Sequence, residues 1–242
     1  ALAASAVLAA CASMSPEASS AREERVSSST FHRDGKFQNL VPTTLIKPGM
    51  TWASITRYFG DEKRVPEAPL PVITPPPSFF DAPPASGLRI TWLGHSTALI
   101  EIDGQRILID PVFSERASPL GWLGPKRFHP VPMRIAELPA VDAVLISHDH
   151  YDHLDEASIR ELVPKTKLFV VPLGLGAHLE QWEVPADRII ELDWWQEQGV
   201  GGSLRLIALP ARHYSGRSLL FLDRDETQWS SWALVGPRHR VY

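Results

Sequence analysis

From residue 88 onward, short apolar runs alternate with turn signals, which is the pattern of strands separated by loops. Residues 88–92, 97–102 and 105–109 are the first three such runs. Asp103-Gly104, between the second and third, predicts a hairpin turn, because Asp-Gly supplies the left-handed backbone that a two-residue loop needs. Residues 143–147 form another apolar run. Asp155 then stands where a helix cap belongs, before the apolar face Ile159, Leu162 and Val163, and Pro164 stops the helix. Strands are expected again at 168–171, 188–191, 204–209, 218–222 and 229–235. The pattern predicts an α/β layer fold rich in sheet, with loops at the strand ends.

Upstream of residue 88 the texture differs. Trp52, Ile55, Tyr58 and Phe59 recur at helical spacing, so 51–59 is a short helix candidate whose aromatics pack in a core. Residues 65–84 hold eight prolines, which favour an extended arm lying across the domain surface. Residues 15–29 are rich in Ser, Ala and Glu with almost no large apolar side chains, and are expected to stay disordered as a tether.

The first ten residues are small and apolar and end in Leu8-Ala9-Ala10-Cys11, which resembles the lipobox of a bacterial lipoprotein signal. That resemblance implies cleavage before Cys11, lipidation of Cys11, and an exported protein held by its lipid anchor on the periplasmic or outer face of a bacterial membrane. A plain cleaved signal peptide, or an Ala-rich terminus with an incidental cysteine, is the simpler alternative. With neither an initiator Met nor a basic leader, the chain is expected to begin inside its own signal. The division this gives is 1–11 signal, 12–30 tether, 31–87 N-terminal extension with a Pro-rich arm, and 88–242 catalytic domain.

Composition narrows the chemistry. The chain has 242 residues, 44% hydrophobic and 21% charged, enough to bury a sizeable core. Its net charge of -4 comes with scattered Lys and Arg, which argues against a nucleic-acid partner, since phosphate binding wants clustered positive charge. Cys11 is the only cysteine, so no disulfide can form within the chain, and any metal must be held by His and carboxylates.

His148-Asp149-His150-Tyr151-Asp152-His153 directly follows the run 143–147. In an extended loop His148 and His150 project to one side, while Asp152 and His153 come after the chain turns and can face a second ion. So dense a set of imidazoles and carboxylates suits zinc, and to a lesser degree manganese or iron. A single loop histidine is usually a bystander, but the His-x-His-x-Asp-His spacing makes a merely solvated turn the weaker reading.

This spacing is similar to the signature of the metallo-β-lactamase superfamily. The resemblance implies an αββα sandwich, a first metal on His148 and His150, a second on Asp152 and His153, and Asp149 as a spacer that hydrogen-bonds nearby. His213, after the expected strand 204–209, takes the place of the third histidine of the first metal. Seven blocks, one of them the signature with its flanks, narrow the likeness: Thr91-Trp92-Leu93-Gly94-His95-Ser96-Thr97, Asp110-Pro111-Val112-Phe113-Ser114, Gly124-Pro125-Lys126-Arg127, 147–155, Val171-Pro172-Leu173-Gly174, Asp193-Trp194-Trp195 and Trp229-Ser230-Ser231-Trp232. In this order they resemble the N-acylphosphatidylethanolamine-hydrolysing phospholipase D group. By that resemblance Asp152 and His153 serve catalysis as well as metal binding, and His95 and Asp110 orient ligands or substrate without being ligands. Arg217 contacts phosphate or forms a surface salt bridge.

The resemblance implies two metal ions, zinc first, and a metal-bridging hydroxide that attacks a phosphodiester such as that of an N-acylphosphatidylethanolamine-type phospholipid. The partners implied are a small-molecule or phospholipid substrate and, through the anchor, a membrane; no oligomeric state is implied. Members of the group continue to a Gly-Asp-Thr-Gly block whose Asp bridges the metals and to a further His for the second metal, and this sequence stops before both. The second half of the sandwich is therefore expected to be largely missing, leaving a fragment with most of a two-metal site. Two alternatives stay open: a lactonase of the same fold, and a truncated metal-binding protein without catalysis.

Overall fold

A computed structural model describes residues 16–44, 66–218 and 222–242. The helix expected at 51–59 and the lipidation position Cys11 lie outside these residues, as does most of the strand expected at 218–222; Ser218 and Leu222 themselves sit in a bend and a turn.

The first sheet has six strands in the order of the sequence: β3 (Leu88–Gly94), β4 (Thr97–Ile102), β5 (Gln105–Ile109), β6 (Val141–Leu145), β7 (Thr166–Pro172) and β8 (Ile189–Leu192). β3, β4 and β5 pair antiparallel; β5 to β8 run parallel. The Asp103-Gly104 turn joins β4 to β5 as its sequence predicts, with both residues in the left-handed region at φ 48° and 85°. The parallel strands carry near-continuous apolar runs because both of their faces are covered. One face packs Leu99, Leu108, Val144 and Phe169 against two helices, α2 (Glu156–Leu162) and α3 (Gly176–Gln181), through Ile159, Leu162 and Leu179. The other face packs Ile100, Ile107, Leu145 and Val170 against a second sheet.

That second sheet is antiparallel, in the order β12 (Arg240–Val241), β11 (Ser231–Val235), β10 (Arg205–Leu209) and β9 (Glu197–Gly199). Alternation along β10 and β11 turns Leu206, Ala208, Trp232 and Leu234 into the space between the sheets. Two packed sheets with helices on the outer face of the first give the layered α/β architecture of the metallo-β-lactamase fold. On the second sheet, Ile207, Leu209 and Val235, which alternate with the inward-facing residues, are only partly covered.

Two local expectations are corrected. Residues within the expected tether form helix α1 (Pro16–Ser28). The helix lacks the apolar surface to order itself, and charge holds it instead: the Arg22 guanidinium donates to Glu180 and Glu191, both at 2.7 Å, and Arg25 donates to the Glu191 carbonyl at 2.7 Å. Val26 adds apolar contact, against the cluster of Phe37, Trp194 and Trp229. Asp155 does occupy the N-cap position of α2, but its side chain makes no capping bond. Its carboxylate accepts from the backbone N–H groups of Phe113 and Ser114 at 3.3 and 3.1 Å and from the Ser114 hydroxyl at 2.9 Å, so it anchors the loop after β5.

The Pro-rich stretch from 66 to 76 carries neither helix nor strand, and ends in a short 3-10 turn (Pro77–Phe80) that buries Phe80 in the helix-side core. No helix among the described residues is long and apolar enough to cross a membrane.

The two sheets are also tied at the β4–β5 turn. Asp103 accepts from the His239 ring at 2.7 Å and from the N–H groups of Arg238 and His239 at 3.0 and 3.1 Å. Partial desolvation opposes the charge on Asp103, but the His239 hydrogen bond and the two N–H donors outweigh it, and the pKa falls from 3.8 to about 2. A carboxylate with a depressed folded pKa contributes stability that is present above its unfolded pKa and lost as pH falls through the folded one. Asp103→Asn is therefore expected to lower the urea midpoint at pH 7, and the gap from the parent chain should close between about pH 4 and pH 2. A gap independent of pH would show that the carboxylate's charge plays no part.

Candidate metal centre

The metal loop begins where β6 ends. Because β5 and β6 are parallel neighbours in the register Ile109↔Leu145, the residues that follow each strand emerge side by side. Asp110 and Ser147 meet there: the Asp110 carboxylate accepts from the Ser147 N–H and from its hydroxyl, both at 2.7 Å. Asp110 sits in the left-handed region at φ 41°, a backbone that aspartate tolerates better than most residues.

Those two hydrogen bonds fix the histidines. The Ser147 hydroxyl donates to Asp110, so its oxygen is free to accept from His148 Nδ1, 2.9 Å away. His153 Nδ1 lies 2.8 Å from Asp110 Oδ2, and an ionised carboxylate can only accept, so this ring too is protonated on Nδ1. Both rings therefore carry a proton on Nδ1, which in the neutral form leaves Nε2 as the atom free to ligate a metal.

His148 Nε2 meets His150 Nδ1 at 2.9 Å and His213 Nε2 at 2.9 Å. Burial is the main force keeping these three rings neutral. For His148 the neighbouring His153, His213 and His150 depress the pKa further; for His150, Asp149 and Asp152 partly offset burial; for His213, His150 and His153 add to it. Neutral imidazole is the form that binds metal. A single lone pair on His148 accepts poorly from two ring N–H groups at once, whereas one cation satisfies all three nitrogens, so the donor set fits a metal ion.

A second group adjoins the first: His95, Asp152 and His153 each offer a donor atom, all within 4.8 Å of one another, and the His148 and His153 ring centroids are 4.1 Å apart. For His153 burial opposes the charged form, but the Asp110 hydrogen bond and the charges of Asp110 and Asp152 prevail and raise its pKa. This group opens to solvent, with His95 exposed and Asp152 and His153 partly so, while His148 is buried.

Asp149 joins the metal loop to the segment carrying His213, accepting from the Gly216 N–H at 2.8 Å and the Thr227 hydroxyl at 2.9 Å. The structure thus brings together every residue expected as a ligand: His148, His150 and His213 in one group, Asp152 and His153 in the other. Asp110 lies where an orienting residue belongs. His95 lies closer than expected, within the second donor group itself.

Arg217 differs from both readings of it. Its guanidinium donates to the backbone carbonyls of Asp149 and Leu154 at 2.5 and 2.7 Å and stacks over Tyr151, its carbon 4.1 Å from the ring centroid. Burial lowers its pKa. It clamps the metal loop from inside, because five fixed N–H donors suit a cluster of loop carbonyls as well as they suit a phosphate.

Two supports escaped the sequence reading. Ser147 was visible as part of a block, but its relay role depends on Asp110, 37 residues away. Asn39 grips His213 from both sides, Nδ2 donating to the His213 carbonyl at 2.8 Å and Oδ1 accepting from its N–H at 3.0 Å. Nothing in the sequence pairs these two positions.

The sequence model of the Beta-lactamase superfamily domain matches residues 105–242, more than half of the chain, and the chain belongs to that superfamily. An uncharacterized protein of Mycobacterium tuberculosis is 49% identical over 218 residues, 87% of this chain and 56% of its own length. The N-acyl-phosphatidylethanolamine-hydrolyzing phospholipase D 1 of Caenorhabditis elegans is 37% identical over 190 residues, 75% of this chain and 52% of that protein. The chain thus spans about half the length of these curated relatives. Among solved structures, the isothiocyanate hydrolase from Delia radicum gut bacteria aligns at a TM-score of 0.48 with 22% identity, over 61% of this chain and 58% of that one.

Asp110→Asn keeps a side chain that accepts the left-handed backbone but no longer forces the Nδ1 proton onto His153. It is expected to weaken metal binding at the Asp152–His153 group by about 10–100-fold, the usual cost of losing a residue that orients a ligand. Competition against a chelator dye measures this, and unchanged affinity would mean that the loop backbone alone sets the ring.

Proposed function

We propose that the protein is a metal-dependent hydrolase that uses two cations, zinc foremost, to cleave a phosphodiester of the N-acylphosphatidylethanolamine type. The observation that carries this reading is the pair of adjoining donor groups at the strand ends, one buried and built of three imidazoles, the other open and containing a carboxylate. When bound, such ions act as Lewis acids, activating water and neutralising charge on phosphoryl oxygens.

The chain's own residues supply the rest. His148, His150 and His213 hold the buried position in neutral form, and Ser147 and Asp110 keep the ring nitrogens aimed. Asp152 and His153 lie in the open group, where the Asp152 carboxylate would accept a proton from the attacking water.

Two features support a lipid over a small soluble ester. The Caenorhabditis elegans relative carries a name for hydrolysis of that phospholipid class. We read the exposed apolar side chains of Trp92 and of the loop 115–128 as a rim able to receive acyl chains. The Trp92 indole, bonded to the His95 carbonyl at 2.8 Å, is 61% exposed, and the loop 115–128 presents Trp122, Leu123 and Phe128 at 74%, 54% and 57% exposure. Lipidation at Cys11, part of the same proposal, would hold this rim at a bacterial membrane surface.

The test is turnover by the zinc-loaded chain of bis-p-nitrophenyl phosphate, of N-acylphosphatidylethanolamine in mixed micelles, and of a lactone. Both phosphodiesters are expected to be cleaved, with kcat/KM falling at least about a hundredfold in His148→Ala and His213→Ala. Cleavage of the lactone alone would make the protein a lactonase, and no turnover of any substrate with metal bound would make it a non-catalytic binder.

A further inference from the structure

His95 occupies the tight connection between β3 and β4, after Gly94 at φ 111°, and itself takes the left-handed backbone at φ 49°. Left-handed backbone is uncommon for any residue other than glycine, even for histidine, which tolerates it better than most, and it persists where the surroundings impose it. Here they do: the Trp92 indole holds the His95 carbonyl, and the Ser96 hydroxyl donates to the Asp152 carbonyl at 3.2 Å, docking the turn against the metal loop.

The turn delivers one nitrogen to one place. His95 Nε2 lies 3.0 Å from Asp152 Oδ2, and the same oxygen lies 3.6 Å from His153 Nε2. His153 Nδ1 is already committed to Asp110, so its Nε2 is the atom left for this group. The His95 and His153 rings stand edge to face with centroids 5.5 Å apart, nitrogen edges flanking one carboxylate. A hydrogen bond to Asp152 alone would need neither the second ring nor the left-handed backbone. Two imidazoles and a carboxylate around one point, open to solvent on the remaining side, form a three-residue site of the kind that leaves positions for water or substrate.

We infer that His95 is a direct ligand of the second cation, joining Asp152 and His153 through Nε2, so that the described residues alone provide three protein donors at that position. The inference rests on the two-metal reading above and deepens it.

Cobalt(II) titration of the metal-free chain, followed by visible absorption and by calorimetry, tests it on binding alone. His95→Asn is the variant of choice, because asparagine tolerates the left-handed backbone yet is too short to reach the site; a thermal melt beside the parent checks its fold. The parent is expected to bind two ions per chain. In His95→Asn the tighter ion should be unchanged and the weaker one bound about tenfold less well or worse, with a changed absorption band. His148→Ala should show the reverse, losing the tighter ion and keeping the His95-dependent one. Two ions bound by His95→Asn with parental affinity and spectrum would overturn the inference while leaving the two-metal reading intact. One ion in the parent, removed by His148→Ala and indifferent to His95→Asn, would overturn it as well. A parent that binds no cobalt would overturn the two-metal reading itself.

Discussion

A buried imidazole has two nitrogens, and which of them carries the proton decides whether it can ligate a metal. In this protein one carboxylate settles that question for both halves of the site. Asp110 accepts a hydrogen bond from the Ser147 hydroxyl, which leaves the Ser147 oxygen as an acceptor for His148, and it accepts directly from His153 Nδ1–H. Removing polar hydrogen-bonding groups from water is costly unless each is paired, so the relay also makes the burial of His148 and Asp110 tolerable. The rest of the architecture serves to keep this small network in place.

The parallel half of the first sheet does so by register. Strands that run the same way bring their C-terminal ends to one edge, and the Ile109↔Leu145 pairing sets Asp110 against Ser147 with no long side chain having to reach. The second sheet closes the site from the other side. The Ser230 N–H donates to the Ser147 carbonyl at 2.8 Å, the Trp232 indole donates to the Ile146 carbonyl at 3.1 Å, and His213 arrives on the segment between β10 and β11. Packing between the sheets is apolar and non-directional, so these few polar ties fix where the third imidazole falls.

The N-terminal segment adds a third support. α1 is pinned by Arg22 to Glu180 and Glu191. The short hairpin β1 (His32–Arg33) and β2 (Lys36–Phe37) follows and buries Phe37 beside Trp194 and Trp229. Asn39 then closes on the backbone of His213. A stretch with little apolar surface is thus ordered by charge and by side chain-to-backbone hydrogen bonds, and what it orders includes a metal-ligand loop.

By itself the sequence determined what is local or periodic. The Asp-Gly hairpin, the apolar runs of both sheets, the helix after Asp155 and the ligand spacing from His148 to His153 all follow from neighbours within a few residues, where backbone preference and alternation act directly. His213 was legible because a histidine following a strand matches a known pattern. Only the tertiary structure decided the rest: that Arg217 turns inward to loop carbonyls, that Asp155 serves the loop after β5 instead of capping its helix, that residues 16–28 are helical, and that Asn39 holds His213. Each of these depends on a partner tens of residues away, and a polar side chain's choice among several chemically equivalent partners is made by distance in the folded chain, which spacing along the sequence does not encode.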